Sequence, residues 1–506
     1  MASNDDSLVS VVYLKRKLHN THDERAPPTK ITMFQDCLLR IPHGKCINPK
    51  VILLLSVIAL GNILLWKYFN HPTLQKIKTY SVTQANVYTN STTELISEPI
   101  QNTTTFHQEF GDENQRIVEA VQCSDLINGK HVDGKTISIK NKILKSRIVP
   151  DSAFSKLANN CTEFVRERGY LNKPITGEER DFPLAYGIYI YKSVNQVEQL
   201  LRTIYRPHNI YCIHVDRKSP KNIIEAIQNI AKCFDNVFVP RRVARVTWCS
   251  IEVVRAELYC QSELLSRNNQ WRYYINLSGQ EFPLKTNLEL VQILKQYDGK
   301  NDVFSKLNPT IVRQRYRYVV VKNTMKNTTI KHNPVMPLNS PIYKGELHVA
   351  LTRKFVEFIH HTDIGRVWFT WLNDTLCPDE HYYQTLNRLS IAPGGDYRLN
   401  SSVAAIAVTR SKLWSNKKAC NGTIVRDICV FGWKALPKLS KRPELFANKF
   451  HDNFDSLVLN CLEEVINNRT NNPVELNLEF YRNISIAKSW NAVSNADWRG
   501  RGNKVF

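Results

Sequence analysis

No Asp-x-Asp occurs anywhere in this 506-residue chain. An enzyme that holds a diphosphate through a divalent metal normally supplies clustered carboxylates, so a diphosphate bound here must be held by fixed cations. No Cys-x-x-Cys pair occurs among the twelve cysteines, which argues against structural zinc and towards disulfides. Disulfides in turn require an oxidising compartment. Neither a zinc-finger spacing nor a Lys/Arg-rich block is present, so nucleic acid ranks low as a partner. No internal repeat is visible.

What is there is a strongly basic, core-forming chain. Lys and Arg number 68 against 46 Asp and Glu, for a net charge of +22. That balance suits an anionic substrate or a membrane surface. A hydrophobic fraction of 42% and an aromatic fraction of 10% are those of a chain that folds around a core. The length admits two or three average domains, or one α/β domain with tails.

Residues 1–50 are polar and read as a cytoplasmic tail. Val51 to Trp66 then form an uncharged run of sixteen residues, and 51–69 reads as a transmembrane signal anchor. The run is shorter than the ~20 residues of an average span but within reach of a thin early-secretory bilayer; a buried core helix is the alternative. Lys45 and Lys50 before it, against Lys67, Lys76 and Lys78 after it, leave the positive-inside signal ambiguous. Ten Asn-x-Ser/Thr sites settle the side: Asn90, Asn102, Asn160, Asn276, Asn327, Asn373, Asn400, Asn421, Asn468 and Asn483 all follow the run. Asn276 sits in an apolar strand and is not expected to be used. Residues 70–122 are rich in Thr, Asn, Gln and Ser and read as a stem, 123–470 as the folded domain, and 471–506 as an unassigned polar tail.

The folded part is organised around Tyr211 to Lys218. A β-branched and aromatic run ends there in a charged turn, with helical periodicity on both sides. Strand, charged tip and helix form the βα grammar of an open α/β sheet, in which ligands bind beyond the carboxyl ends of strands. Asp216 at such a tip is placed to accept a hydrogen bond from a base or sugar; a solvated turn is the plainer reading. Further strands are predicted at 184–191, 237–239, 273–277, 347–351 and 428–431. Helices are predicted over 251–266 and 288–296, the latter capped at Thr286-Asn287.

Three further residues are candidates for chemistry. In Cys377-Pro-Asp-Glu380, the acidic pair at a helix start is either simple dipole chemistry or a fixed general base. Arg426 lies between Cys420 and Cys429, and Lys449 follows in Phe446-Ala-Asn-Lys-Phe450. Each alone reads as a surface charge; together they suit a diphosphate, Arg by its planar fork and Lys as a point charge.

The motifs Tyr211–Lys218, Cys233–Phe238, Tyr274–Asn287, Pro378–Glu380, Cys429–Gly432 and Leu445–Phe450 occur in this order along the chain. In them the chain resembles the core 2/I-branching β-1,6-N-acetylglucosaminyltransferases, a group that includes the protein xylosyltransferases. The resemblance implies a GT-A-like α/β fold, an open mixed sheet flanked by helices. It implies inverting transfer from a UDP-sugar without a metal or other cofactor. Glu380 is then the base, Arg426 and Lys449 contact the diphosphate, and Asp216 contacts the uracil. Tyr189, Tyr191 and Trp248 complete the UDP-sugar pocket, with Trp248 where branching enzymes often carry Tyr and Tyr191 where a His is expected. Arg313 is the one acceptor contact that lines up. The implied substrates are UDP-GlcNAc and the GalNAc of a core 1 O-glycan, with I-branching, xylosyl transfer or a non-catalytic lectin as alternatives. The implied setting is a single-pass type II Golgi membrane protein with a lumenal catalytic domain, and a homodimer stays open. Four disulfides carry over: Cys123–Cys461, Cys161–Cys233, Cys212–Cys260 and Cys420–Cys429. Cys37 and Cys46 fall on the cytoplasmic side and stay reduced. Cys249 and Cys377 have no partner in that scheme. One follows Trp248 and the other precedes Glu380 by three residues, so both are expected to border one cleft.

Overall fold

The computed structural model describes residues 121–488, apart from 171–172, 269, 322–325, 332–335 and 415–418. The expected tail and anchor and the stem up to residue 120, with Cys37, Cys46, Asn90 and Asn102, lie outside the described residues. Among the described residues no helix is long and apolar enough to cross a membrane.

The predicted βα alternation folds in chain order. Strand Leu184–Ile190 (β1) leads to helix Val194–Ile204 (α1), Ile210–Val215 (β2) to Lys221–Lys232 (α2), and Val237–Phe238 (β3) to Ile251–Arg267 (α3). Tyr273–Ser278 (β4) follows, then the short Glu281–Pro283 (β5) and helix Asn287–Gln296 (α4). Thr286 closes a capping box with Glu289 at the start of α4, satisfying two backbone N–H groups that the helix would otherwise leave bare. Asp302–Leu307 (β6), the hairpin Tyr318–Val321 (β7) and Lys326–Lys331 (β8), and the long Tyr343–Thr352 (β9) come next.

Six strands form one sheet in the order β3-β2-β1-β4-β9-β6. β1 runs parallel to β2 and β4, and β2 parallel to β3. β9 is antiparallel to both β4 and β6. This open mixed sheet flanked by helices fits a GT-A-like fold. Both faces are covered, which is why β1 and β2 read as near-continuous apolar runs. Leu184, Tyr186, Ile188 and Ile190 share a core with the apolar stripes of α1, α2 and α4. Ala185, Cys212 and Tyr274 share a second core with α3 and with helix Arg353–His361 (α5).

The C-terminal third returns to the sheet edge. Helix Tyr382–Leu386 (α6) and strand Arg410–Ser411 (β10) precede the hairpin Gly422–Val425 (β11) and Ile428–Phe431 (β12), and Phe446–Asn448 (β13) pairs with both β10 and β5. Helix Ser456–Asn471 (α7) buries Leu457, Val458 and Leu462 in a third apolar cluster. Beyond Asn471, where sequence reading finds no assignment, helix Leu478–Ala487 (α8) inserts Phe480, Tyr481 and Ile484 into the first core. Only one face of this short helix, carrying Phe480, Tyr481 and Ile484, is buried, while Ile486 stays exposed.

All four disulfides implied by the resemblance are present. Cys123–Cys461 spans 338 residues and joins the start of the described domain to α7. A fifth joins Cys249 to Cys377, with Cα atoms 3.9 Å apart. Asn276 lies 2% exposed, and its amide donates to Glu257 and to the Leu347 carbonyl, so this sequon is closed to modification.

Burial also sets a pH dependence. Desolvation depresses His208, His214, His360, His381 and His451 from the usual 6.5 to about 4. Each is neutral when folded but charges in the unfolded chain below pH 6.5, so its stabilising contribution is present above 6.5 and lost towards 4. Glu257 and Asp379, pushed up to about 8 and about 7 by burial, act in the opposite sense, as do Asp302, Asp396 and Asp455, which burial also raises. His348, lowered by burial, and the carboxyls of Glu281, Glu346, Glu380 and Glu463, held low by their cationic partners despite burial, add to the histidine side. The melting temperature should therefore fall as pH is lowered from 6.5 to 4 in a thermal unfolding series; a flat or rising profile contradicts this account.

Candidate active site

The carboxyl ends of β1 and β2 carry the first group of residues. The Asp216 N–H donates to the Ile190 carbonyl at 2.8 Å, locking the two strand ends together. The Asp216 carboxylate accepts the Lys218 N–H at 2.8 Å, while Lys218 Nζ stands 3.7 Å from its second oxygen. This turn fixes the carboxylate at the tip, buried to 7% exposure. The Ser219 hydroxyl bonds the Tyr191 carbonyl at 3.1 Å, and the Arg217 N–H bonds the Ala244 carbonyl at 3.0 Å. The tip therefore ties Tyr191 on one side to the 244–248 loop on the other. Tyr191 and Trp248 are 52% and 76% exposed, unusual for aromatic rings and suited to stacking on a ligand. A cavity of about 440 Å³ next to the Asp216 turn is lined by Arg217, Lys218 and Arg245. Tyr189 is placed differently. Its hydroxyl bonds Tyr274 at 2.7 Å over Gly187, where a Cβ would sit 2.5 Å from that hydroxyl.

The second group is cationic. Arg426 and Asp427 form the two-residue turn of the β11–β12 hairpin, with φ of 50° and 63° as a type I′ turn requires. The Cys420–Cys429 disulfide braces the hairpin. The Phe431 N–H donates to the Lys449 carbonyl at 2.9 Å, tying the hairpin to the segment after β13. Lys449 is pushed below its usual range first by burial, then by Arg426 and Lys192, with Glu281 opposing. His451 feels Lys192 and Lys449 in the same way, and its Nε2 has no hydrogen-bond partner among the described residues. Lys192 joins this cluster through α1: Ser193 Oγ donates to Asp452 at 2.7 Å, and Gln196 bonds the Phe450 carbonyl and the Asp452 N–H. Converging like charges are an unfavourable arrangement unless an anion completes it.

Glu281 in β5 lies beneath these cations, fully buried. Arg410 Nε at 2.8 Å and His348 Nε2 at 2.7 Å bind its two oxygens, and Asn448 adds a bond at 3.0 Å. Burial alone would raise its pKa; Arg410 and His348 outweigh that and bring it to about 2.

The third group surrounds Glu380. A 3₁₀ turn, Pro378–Glu380, precedes α6, where the sequence suggests a continuous helix start. Glu380 Oε2 meets Arg315 at 2.5 Å and Lys344 at 2.8 Å. Burial opposes ionisation, but the two cations prevail and hold the carboxyl below its ordinary range. Its neighbour Asp379 goes the other way, up to about 7, through burial and then the charge of Glu380. Adjacent carboxyls thus divide into one fixed anion and one group that titrates near neutrality. Arg313, the residue that sequence counting selects, is exposed at the end of the 3₁₀ turn Thr310–Arg313; Arg315, two positions on, makes the ion pair. Among the described residues no three His, Cys, Asp or Glu side chains converge on a possible metal position.

β9 connects the groups. Lys344, Glu346 and His348 lie along it, and Lys412 touches both Glu346 and His348. The three strand residues pair with Glu380, Lys412 and Glu281 respectively. Gly345 lets β9 approach β6, since a Cβ there would lie 1.9 Å from the Phe304 carbonyl oxygen. The sequence locates only the apolar end of this strand, because alternating charges look like a solvated edge.

The family model described as Core-2/I-Branching enzyme matches residues 184–440, which hold Asp216, Trp248, Glu380 and Arg426. The chain belongs to this family. It is 32% identical over 378 residues to a Homo sapiens β-1,3-galactosyl-O-glycosyl-glycoprotein β-1,6-N-acetylglucosaminyltransferase, covering 71% of this chain and 87% of the relative. To a probable seventh enzyme of that name from Homo sapiens it is 37% identical over 351 residues, 67% of this chain and 80% of the relative. A fourth enzyme of the series from Mus musculus matches at 32% over 386 residues, 73% and 84%. Lys192, Arg315, Lys344, Glu281 and His451 escaped sequence reading in this branching enzyme, since single charges carry no pattern.

Removing the Glu281 charge tests the frame of the site. Glu281→Gln leaves Arg410 buried without its counter-ion, and breaking a buried pair from one side costs roughly 3–5 kcal/mol. Denaturant unfolding should show that loss; a change under about 1 kcal/mol, the range of a surface pair, would contradict the assigned role.

Proposed function

We propose that this chain is an inverting β-1,6-N-acetylglucosaminyltransferase that moves GlcNAc from UDP-GlcNAc to the GalNAc of a core 1 O-glycan, without a metal. Family membership and the relatives' names support the reaction class. The observation that carries it is the presence of one fixed carboxylate, Glu380, held through β9, together with a separate convergence of cations, Lys192, Arg426 and Lys449, tied to the same strand through Glu281. Asp216 with Tyr191 and Trp248 provides the polar and aromatic contacts a uracil needs.

The mechanism follows from these roles. Glu380 takes the proton of the acceptor 6-hydroxyl as that oxygen attacks the anomeric carbon in line. The bond from that carbon to the diphosphate oxygen breaks, its electron pair leaves with UDP, and the anomeric configuration inverts. Arg426, Lys449 and Lys192 neutralise the charge growing on the departing diphosphate, the task a metal performs elsewhere. A carboxylate held low by Arg315 and Lys344 is ionised throughout the neutral range, and it accepts the proton only as the attacking hydroxyl becomes acidic in the transition state.

The five disulfides fit an oxidising lumen. With the run Val51–Trp66 and the one-sided sequons, they support a type II Golgi membrane protein with a stem before the catalytic domain.

Turnover of UDP-GlcNAc against a panel of core 1, poly-N-acetyllactosamine and serine-peptide acceptors tests the reaction. Product should form on core 1 in excess EDTA, and strict dependence on added manganese would contradict the cation assignment. In the same assay Arg426→Ala should weaken UDP binding by roughly 1.5–3 kcal/mol, the range of a hydrogen bond to a charged group; unchanged affinity removes Arg426 from the site.

A further inference from the structure

The Cys249–Cys377 disulfide lies outside the four pairings that the family resemblance implies, and both cysteines are buried, at 4% and 3% exposure. Their backbones are joined as well, the Cys377 N–H donating to the Cys249 carbonyl at 2.8 Å. Both residues have left-handed backbones, φ 65° and 52°, a conformation that side-chain-bearing residues adopt when their surroundings impose it.

The two ends of the bridge reach different parts of the cleft. Cys249 directly follows the exposed Trp248 and precedes Ser250, whose hydroxyl accepts the Glu252 N–H at the start of α3. Cys377 opens the 3₁₀ turn that carries Glu380, and its carbonyl accepts the Glu380 N–H at 3.1 Å. The residue before it, Leu376, donates its N–H to the Arg315 carbonyl at 2.9 Å, and Arg315 is the cation 2.5 Å from Glu380. One covalent point thus fixes the aromatic of the base pocket, the carboxylate, and one of the two cations that keep it ionised. The other four disulfides lack that placement: Cys123–Cys461, Cys161–Cys233 and Cys212–Cys260 hold helices and strands of the frame, and Cys420–Cys429 braces the Arg426 hairpin.

We propose that the Cys249–Cys377 bridge is a positioning element that couples the nucleobase side of the cleft to the general base. The proposal rests on the transfer reading given above. Without the bridge, one backbone hydrogen bond, Cys377 N–H to the Cys249 carbonyl, joins the 244–250 loop to the 377–380 segment among the described residues, so Trp248 and Glu380 should each lose their fixed placement.

The full-length C249S/C377S variant tests this beside the wild type. UDP affinity, followed by tryptophan fluorescence, should fall about three- to tenfold, the scale of a displaced aromatic contact. Turnover at saturating substrates should fall about ten- to a hundredfold, the scale of a reacting group misplaced by an ångström or less. The acid limb of the pH–rate profile should move to higher pH, because Glu380 would lose part of the Arg315 and Lys344 field. A variant that keeps either wild-type UDP affinity, or wild-type turnover and acid limb, overturns the coupling even if it melts lower. Should the variant fail to fold, wild-type protein titrated with a thiol reductant and mapped by mass spectrometry answers the same question. Activity must then fall with the loss of this bridge, and activity that survives its reduction overturns the proposal. A wild type with no turnover on any acceptor would sink the transfer reading instead, while the UDP titration would still judge the bridge.

Discussion

The buried carboxylate of Glu281 is the interaction on which the rest of the site depends. It sits in β5, bonds Arg410 of β10, His348 of β9 and Asn448 of β13, and accepts the Ser278 N–H at the end of β4. The main sheet and the small β10-β13-β5 sheet therefore meet at one ion. Lys449 follows β13 directly, so the same ion sets where Lys449 and the cations around it stand. Burying a charge is expensive, and only near-complete hydrogen bonding makes it tolerable. The His348 ring shows how tightly this is arranged. Lys412 donates to Nδ1 at 3.0 Å, so the ring proton is on Nε2, which donates to Glu281. One proton position is thereby specified by the neighbours on both sides.

From that ion the electrostatic design spreads along β9. Lys344, Glu346 and His348 of that strand hold Glu380, Lys412 and Glu281, the first two as ion pairs and the third by a hydrogen bond from a neutral ring. Such pairs inside a cleft are stronger than on a surface because water screens them less. The cations at the hairpin tip and after β13 are different: Arg426, Lys449 and Lys192 repel one another, with Glu281 the nearest counter-charge that Lys449 feels. A frame of satisfied pairs around a group of mutually repelling cations suits the binding of an anion.

Much of the fold was legible because it rests on burial. β1, β2, β4 and α1 to α4 announce themselves through apolar periodicity, and the cap at Thr286 through residue type. α8 and β6 did not, since each sits in a polar stretch of sequence, where a buried face is evident only once its partner surface is known. Within the site, Asp216, Glu380, Arg426 and Lys449 stood out as candidates by residue type and position before the family resemblance gave them roles, and the Cys249–Cys377 proximity followed from what those positions imply. Lys192, Arg315, Lys344, Glu346 and His348 were missed for one reason. A charge becomes informative only when its partner is known, and every partner here is distant in sequence: Lys344 from Glu380, His348 from Glu281, Lys192 from Lys449.

The central claim is that Glu380 is the base, and one substitution separates that from a purely structural role. Gln nearly matches the shape of Glu but cannot take the acceptor's proton. General-base catalysis contributes about 10²- to 10⁴-fold, so Glu380→Gln should lose at least that much turnover while UDP binding persists. Turnover and UDP affinity measured on the same preparation decide the matter. A near-normal rate in Glu380→Gln, even with a lowered melting temperature from the lost Arg315 and Lys344 pairs, would leave the proposed reaction without its base.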